Sequence, residues 1–281
     1  MSGIVESIGP DVTLFQKGDR VFALSNGFAS GKPDNGAFQS CTVVPVSSTA
    51  KLPNSIDFKH GVMFPMSLAA VGTALFSDLG LPRPTSEIVA KGSAGASILI
   101  WGGSSALGSM AIQITNLLGY TVYAVASPAH HAYLKSLGAE EVFDYHSPTV
   151  VADIIAAAQT PIVLAFDAVS NPVTLASIGK ILVASGGQGG KLAHMLPWEE
   201  SWVKPEGVEL RAVASENLWS TQLELSTWLF HEFLPVSLEK GRLVASPKLR
   251  IVEGGLEGLQ GAMDELKKGG VSGEKLVVEL V

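Results

Sequence analysis

Gly103, Ser105 and Gly108 stand at the spacing G-x-S-x-x-G within Trp101-Gly102-Gly103-Ser104-Ser105-Ala106-Leu107-Gly108. The related pattern G-x-G-x-x-G, placed between a strand and a helix, holds the pyrophosphate of a dinucleotide. A tight turn there brings free N–H groups and the positive end of a helix to the phosphates. In this register Gly103 is expected to permit the turn out of the strand, and Gly108 to let the helix pack close to the sheet. Ser105 replaces the middle glycine, and its small hydroxyl is expected to fit there and donate to phosphate.

A second test lies about 20 residues on, where an acidic residue holds the free ribose 2′-hydroxyl of NAD. The chain has Ala126-Ser127-Pro128-Ala129-His130-His131 at that point, with no carboxylate. A carboxylate would repel a 2′-phosphate, so its absence favours NADPH over NADH. Ser127, the histidines and Lys135 are candidates to hydrogen-bond the phosphate. The plainer alternative is that Ser127-Pro128 only caps the next helix.

The other reactive side chains form no set. A catalytic zinc needs three well-placed ligands; Cys41 is the single cysteine, and His60 has no supporting spacing. No metal is expected, and conjugate reduction by hydride then suits the site better than polarising an alcohol or ketone. No general acid is assigned. Ser67 and Ser272 read as structural hydroxyls, His194 as a satisfied histidine near the end of a core strand, and solvent is a source of the proton. Tyr145 alone reads as a half-buried strand residue. Trp198 and Trp202 bracket Glu199 and Glu200, and a packed loop is the simpler account of them.

The elements that must position the turn follow from hydrophobic patterning. Ser97-Ile98-Leu99-Ile100-Trp101 is wholly apolar after its serine, as a strand covered on both faces requires. Helix over 106–118, strand 121–126, helix 129–137, strand near 142–143, helix 150–158, strand 162–166, helix 172–178 and strand 191–196 continue the alternation. Such alternation implies a doubly wound parallel sheet. Upstream, residues 18–24 read as a turn running into a short strand, residues 42–46 as another strand candidate, residues 26–36 as a loop, and residues 58–79 as one long helix. Pro82 and Pro84 open a connector that runs to Gly95. Residues 220–234 read as an amphipathic helix, and residues 275–281 as a final strand.

The bulk numbers agree with such a protein. Hydrophobic residues make up 47% of the 281 and charged residues 16%, enough for a sizeable core. The net charge of −7 and the lack of a dense Lys/Arg run disfavour a nucleic-acid partner. One cysteine excludes an internal disulfide. Gly, Pro or charge breaks the apolar runs short of a membrane span, and the first residues do not read as a secretory signal. A cytoplasmic protein with no membrane partner is the expectation.

Gly18-Asp19-Arg20-Val21, Gly36-Ala37-Phe38, the Gly102–Gly108 turn and Ser272-Gly273-Glu274-Lys275 together resemble the medium-chain dehydrogenase/reductase superfamily. Within it, Ser127-Pro128 and Leu137-Gly138-Ala139-Glu140-Glu141-Val142-Phe143-Asp144-Tyr145 resemble the fungal trans-acting enoyl reductases, which include the ToxD-like proteins and work beside polyketide synthases. The resemblance implies a GroES-like β domain from residues 1–80 and 246–281, and a Rossmann domain over 81–245. It implies NADPH contacts from Ser104, Ser105, Ala106 and Leu107 at the phosphates. Ser127, Pro128, Ala129, His130 and Tyr145 are implied at the 2′-phosphate end, and Met195, Leu196, Val271 and Ser272 further along the cofactor. Phe64-Pro65-Met66-Ser67-Leu68-Ala69-Ala70-Val71 is implied to line the substrate cleft, for an enoyl substrate that is free or carrier-bound. Relatives carry a stretch before the element that is here Gly3-Ile4-Val5-Glu6-Ser7-Ile8-Gly9, so the GroES-like domain is expected to be incomplete. The alternatives are a quinone or alkenal reductase of the same superfamily, and a non-catalytic relative that binds dinucleotide without turnover.

Overall fold

In the computed structural model, which describes residues 1–84, 95–186, 189–196, 199 and 201–280, the strands in chain order are β1 (Ser2–Ile4), β2 (Arg20–Ala23), β3 (Thr49–Lys51), β4 (Ser97–Trp101), β5 (Thr121–Val125), β6 (Glu141–Phe143), β7 (Ile162–Asp167), β8 (Gly190–His194), β9 (Val208–Ala212), β10 (Lys248–Val252) and β11 (Glu274–Val278). The chain separates into two units, residues 1–69 with 215–281, and residues 70–214. Residues 85–94 of the expected connector, together with Trp198 and Glu200, lie outside the described residues.

Unit 70–214 is a single sheet in the order β6-β5-β4-β7-β8-β9, every neighbouring pair parallel. Counted from its first strand this is 3-2-1-4-5-6, the doubly wound order, with its reversal between β4 and β7. All five residues of β4 are buried, because helices cover both faces of the sheet. Leu99 and Trp101 face a core with Tyr123, Val125 and residues of the helices Val150–Ala157 and Pro172–Ala184. The helix Ala106–Leu117 packs on β4 and β5 and buries Met110, Ile112 and Ile114. Each fully buried aliphatic side chain contributes roughly 1.5–3 kcal/mol. Pro172 pre-sets the first turn of its helix, and Asn171 and Thr174 exchange side-chain bonds with each other's backbone as a capping box.

Unit 1–69 with 215–281 holds a three-stranded antiparallel sheet, β1-β2-β3, and a separate parallel pair, β10-β11. The helix Leu259–Lys267 joins the last two strands. Arg250 of β10 donates to Glu265 of that helix and pairs with Glu274 of β11, with N–O distances of 2.7 and 2.9 Å. The unit gathers chain beyond 214 because residues 219–231 bond to its loop. Trp219 Nε1 donates to Ser48 Oγ at 3.1 Å, Ser226 Oγ to the Ser47 carbonyl at 3.0 Å, and His231 Nε2 to the Val46 carbonyl at 2.9 Å.

Several elements differ from their sequence patterns. Residues 42–46 form no strand. Thr42 Oγ1 and the Val43 N–H both donate to the Asp34 carbonyl, Pro45 has no N–H to give to a ladder, and the strand that pairs with β2 begins at Thr49. The single helix expected over 58–79 is split into Phe58–Gly61, Pro65–Gly72 and a π-helical stretch Thr73–Asp78. Pro65 lacks an amide hydrogen and biases the residue before it away from the helical region. By length and hydropathy Phe58–Asp78 does reach the scale of a membrane span, contrary to the sequence expectation, but 78% of the window is buried inside the protein, as in a core helix. Residues 220–234 likewise split, into the helix Leu223–Trp228 and a π-helical stretch Leu229–Phe233, followed by the helix Leu234–Glu239. Strands β9 and β10 and the helix Leu259–Lys267 have no counterpart in the sequence reading.

Candidate cofactor site

The glycine-rich turn leaves β4 at the reversal of strand order, where open parallel sheets bind ligands. Gly102 makes the turn: its φ is +76°, a left-handed value that glycine adopts without cost. A Cβ there would also stand 2.7 Å from Val169 Cγ2. This corrects the expected division of labour, in which Gly103 was the turn residue. Gly103 is required by packing, since its Cβ would lie 3.0 Å from Leu134 Cδ1 and 3.2 Å from Ile112 Cδ1. Gly108 is required by a closer approach, 2.2 Å from the Gly102 oxygen and 2.7 Å from Gly103 Cα. The helix therefore packs directly on the turn, as expected.

Ser105 also takes a different part from the one expected. Its Oγ donates to the Gly102 carbonyl at 2.8 Å and accepts from the Gly108 N–H at 3.0 Å. It is the N-cap of the 12-residue helix Ala106–Leu117, and its proton is committed within the turn. The open donors of the turn are main-chain groups. Among the described residues, none accepts from the N–H of Ser104, Ala106 or Leu107, and all three residues are half-buried. The Gly102 and Gly103 N–H groups are both spent on the Val125 carbonyl. Three open donors at a helix N-terminus, on a turn where a Cβ would collide, fit a dinucleotide pyrophosphate.

At the ends of β5 and β6, Ser127 and Tyr145 come together although 18 residues apart, with Ser127 Oγ 3.3 Å from the Tyr145 hydroxyl. Tyr145 is 48% exposed. Ser127 and Pro128 open a short 3-10 turn, Pro128–His130, without a side-chain cap bond from Ser127, so the capping alternative does not account for this serine. Pro128 and Ala129 are exposed and His130 is half-buried. His131 Nε2 lies 3.0 Å from the Ala126 carbonyl oxygen.

A buried polar cluster that the sequence reading missed closes the ends of β7 and β8. Asp167, fully buried, accepts from Thr174 Oγ1 at 2.5 Å and from the Val169 N–H at 2.9 Å. Burial pushes its carboxyl above the usual carboxylate range, against those hydrogen bonds and the nearby His194. Ser170, at φ 58°, donates to the Asp167 carbonyl at 2.9 Å and accepts from the Met195 N–H at 2.8 Å. His194 donates through Nδ1 to the Leu196 carbonyl at 2.8 Å, the satisfied role expected for it. The cluster thus holds Met195, half-buried, and Leu196, 52% exposed. The signal available in the sequence was Asn171-Pro172-Val173-Thr174, whose capping pattern fixes Thr174 beside the end of β7.

The remaining expected site residues lie as follows. Among residues 64–71, Phe64, Pro65, Ser67, Leu68, Ala69, Ala70 and Val71 are buried, and Met66 is 54% exposed. Ser67 Oγ bonds back to the Met63 carbonyl at 3.4 Å, a structural contact. Val271 is half-buried and Ser272 exposed, in the turn before β11. Cys41 is exposed, and among the described residues no group of three His, Cys, Asp or Glu side chains is placed to hold a metal. The described residues therefore form no zinc site.

Residues 106–188 match the family model described as zinc-binding dehydrogenase. The chain is 34% identical to a trans-enoyl reductase, himH, of Aspergillus japonicus, over 100% of this chain and 79% of the relative. It is 31% identical to the lovastatin nonaketide synthase enoyl reductase component lovC of Aspergillus terreus, over 99% of this chain and 81% of the relative. Among solved structures it resembles an alcohol dehydrogenase superfamily protein from Novosphingobium aromaticivorans, with a TM-score of 0.76 at 21% identity, covering 95% of this chain and 76% of that one. At that identity the likeness is one of fold. The doubly wound sheet, the glycine-rich turn and the similarity over the whole of this chain agree: the chain belongs to the medium-chain dehydrogenase/reductase family of nicotinamide-dependent oxidoreductases, in the branch that holds the fungal trans-enoyl reductases.

Proposed function

We propose that this protein is an NADPH-dependent enoyl reductase that saturates the activated C=C bond of an enoyl thioester, free or carrier-bound, beside a polyketide synthase. The observation that carries the cofactor half is the trio of open N–H groups at Ser104, Ala106 and Leu107, at the reversal of the sheet. The paired hydroxyls of Ser127 and Tyr145 support a 2′-phosphate over a bare hydroxyl. The names of the relatives, one of them a component of a polyketide synthase system, support the substrate half. Bound NADPH would supply the hydride that reaches the β-carbon.

The chain's own residues bind and orient. The turn fixes the pyrophosphate, and the Asp167, Ser170 and His194 cluster steadies Met195 and Leu196 on the nicotinamide side. By the family resemblance, Val271 and Ser272 are further candidates to bind the cofactor, and Met66, the exposed residue of its segment, is a candidate to bind the substrate. No side chain is assigned as general acid, and solvent protonates the α-carbon. The reaction needs no zinc, in keeping with an exposed, solitary Cys41. We place the protein in the cytoplasm, with no membrane or nucleic-acid partner; its net charge of −7 supports the latter.

The test has two stages. NADPH and NADH are titrated against the protein, and NADPH should bind more tightly; equal affinities would remove the NADPH assignment. NADPH oxidation is then followed with a crotonyl-type thioester and with a quinone. Oxidation by the thioester supports enoyl reduction, oxidation by the quinone alone replaces it with quinone reduction, and binding without either leaves a non-catalytic dinucleotide-binding protein.

A further inference from the structure

The second strand of the sheet ends without a carboxylate, yet the fold brings one to it from the third. The Ala126 N–H donates to the Phe143 carbonyl at 3.0 Å, which sets the ends of β5 and β6 side by side. Asp144 follows Phe143 directly and precedes Tyr145, whose hydroxyl meets Ser127. Its Oδ1 accepts from the His146 N–H at 3.0 Å and lies 2.8 Å from His146 Nδ1. The His146 ring in turn packs on Tyr145, centroids 3.9 Å apart. His131, anchored on the Ala126 carbonyl, also acts on the Asp144 carboxylate. These contacts hold the carboxyl below the usual carboxylate range, the His146 N–H contributing most.

We propose that Asp144 is the residue that sets cofactor discrimination at this site: its carboxylate, next in the chain to Tyr145 and tied back by His146, limits the preference for a 2′-phosphate over a free 2′-hydroxyl. The physical ground is direct. A carboxylate opposes a phosphate dianion and is indifferent or favourable to a ribose hydroxyl. The inference rests on reading Ser127 and Tyr145 as the 2′-phosphate end.

Dissociation constants for NADPH and NADH are measured on the intact protein and on Asp144→Asn, His146→Gln and the double variant. Thermal melts of all four identify any change in folding. Asp144→Asn should tighten NADPH by about 3–10-fold, the range of a partly exposed charge near a charged ligand, and leave NADH within about twofold. His146→Gln, with the carboxylate no longer tied back, should weaken NADPH, and that effect should disappear in the double variant. The inference is overturned if Asp144→Asn changes both cofactors by the same factor, or if His146→Gln acts equally with and without the carboxylate. A parent protein that prefers NADPH while these variants leave the ratio unmoved defeats this inference alone. A parent that binds neither dinucleotide defeats the cofactor reading and this inference with it.

Discussion

Replacing Ser105 by alanine separates two roles for one hydroxyl. Its Oγ spans the turn, donating to the Gly102 carbonyl and accepting from the Gly108 N–H. Alanine removes both bonds. The Gly102 oxygen keeps its bond from the Ser105 N–H at 3.0 Å, so it is not orphaned. What is lost is an N-cap on a long, central helix, at a cost of about 1 kcal/mol, which in a protein of this size lowers the melting temperature by roughly 2–4 °C. The open N–H groups of Ser104, Ala106 and Leu107, proposed as the phosphate donors, are untouched, and the Gly108 N–H becomes free. NADPH affinity should therefore stay within about threefold, a change of less than 1 kcal/mol. Ser105→Gly should recover most of the stability, because glycine is nearly as good at an N-cap. Thermal melts and NADPH titrations on the three proteins provide the comparison. An alanine variant with unchanged melting temperature and a tenfold loss of affinity would refute the reasoning, since the hydroxyl would then be donating to the phosphate.

Gly108→Ala places a Cβ 2.2 Å from the Gly102 oxygen; it should destabilise by about 2–3 kcal/mol and abolish NADPH binding, read by denaturant midpoint and titration. Thr174→Val removes the hydroxyl that donates to the buried Asp167 carboxylate, and should cost about 2–3 kcal/mol in chemical denaturation. Asp78 offers a pH test. Burial raises its pKa from 3.8 to about 6 despite the opposing charge of Arg211, and its Oδ2 has no hydrogen-bond partner among the described residues. Between those two values the native state holds the proton more tightly than the unfolded chain, so this group lowers stability as pH rises through the window. Asp78→Asn should accordingly stabilise by about 1–1.5 kcal/mol at pH 8, the full shift being discounted by half for partial exposure, and the gain should vanish below about pH 4. An Asp78→Asn variant whose advantage is the same at pH 4 and pH 8 would show that the charge is not its source.

Much of the sheet was legible in the residues because its signals are local. A strand covered on both faces must be apolar throughout, as Ile98-Leu99-Ile100-Trp101 is, and glycine after it marks the only residue type that fits so close a turn. The alternation of strand and helix then implies a doubly wound parallel sheet, and with it a ligand site at the strand ends. Local signals also mislead where a neighbour decides. Pro65 interrupts an otherwise uniform apolar stretch, and the Asp34 carbonyl draws residues 42–43 out of the strand their β-branched side chains suggest.

The sequence by itself determined that this chain builds a dinucleotide cradle, since turn, cap and helix lie within a dozen consecutive residues and obey short-range rules. Only the tertiary structure decided how the cradle is populated. Gly102 rather than Gly103 turns the chain, at a left-handed φ of 76°, and a Cβ at 102 would meet Val169 from another strand's loop. Ser105 closes the helix instead of reaching out, because the Gly102 carbonyl and the Gly108 N–H stand within its reach. Asp144 comes to the edge that Ser127 occupies only because β5 and β6 are neighbours in the sheet. A hydrogen bond or a charge acts over a few ångströms of space, and spacing along the chain does not reveal which strands will bring two residues that close.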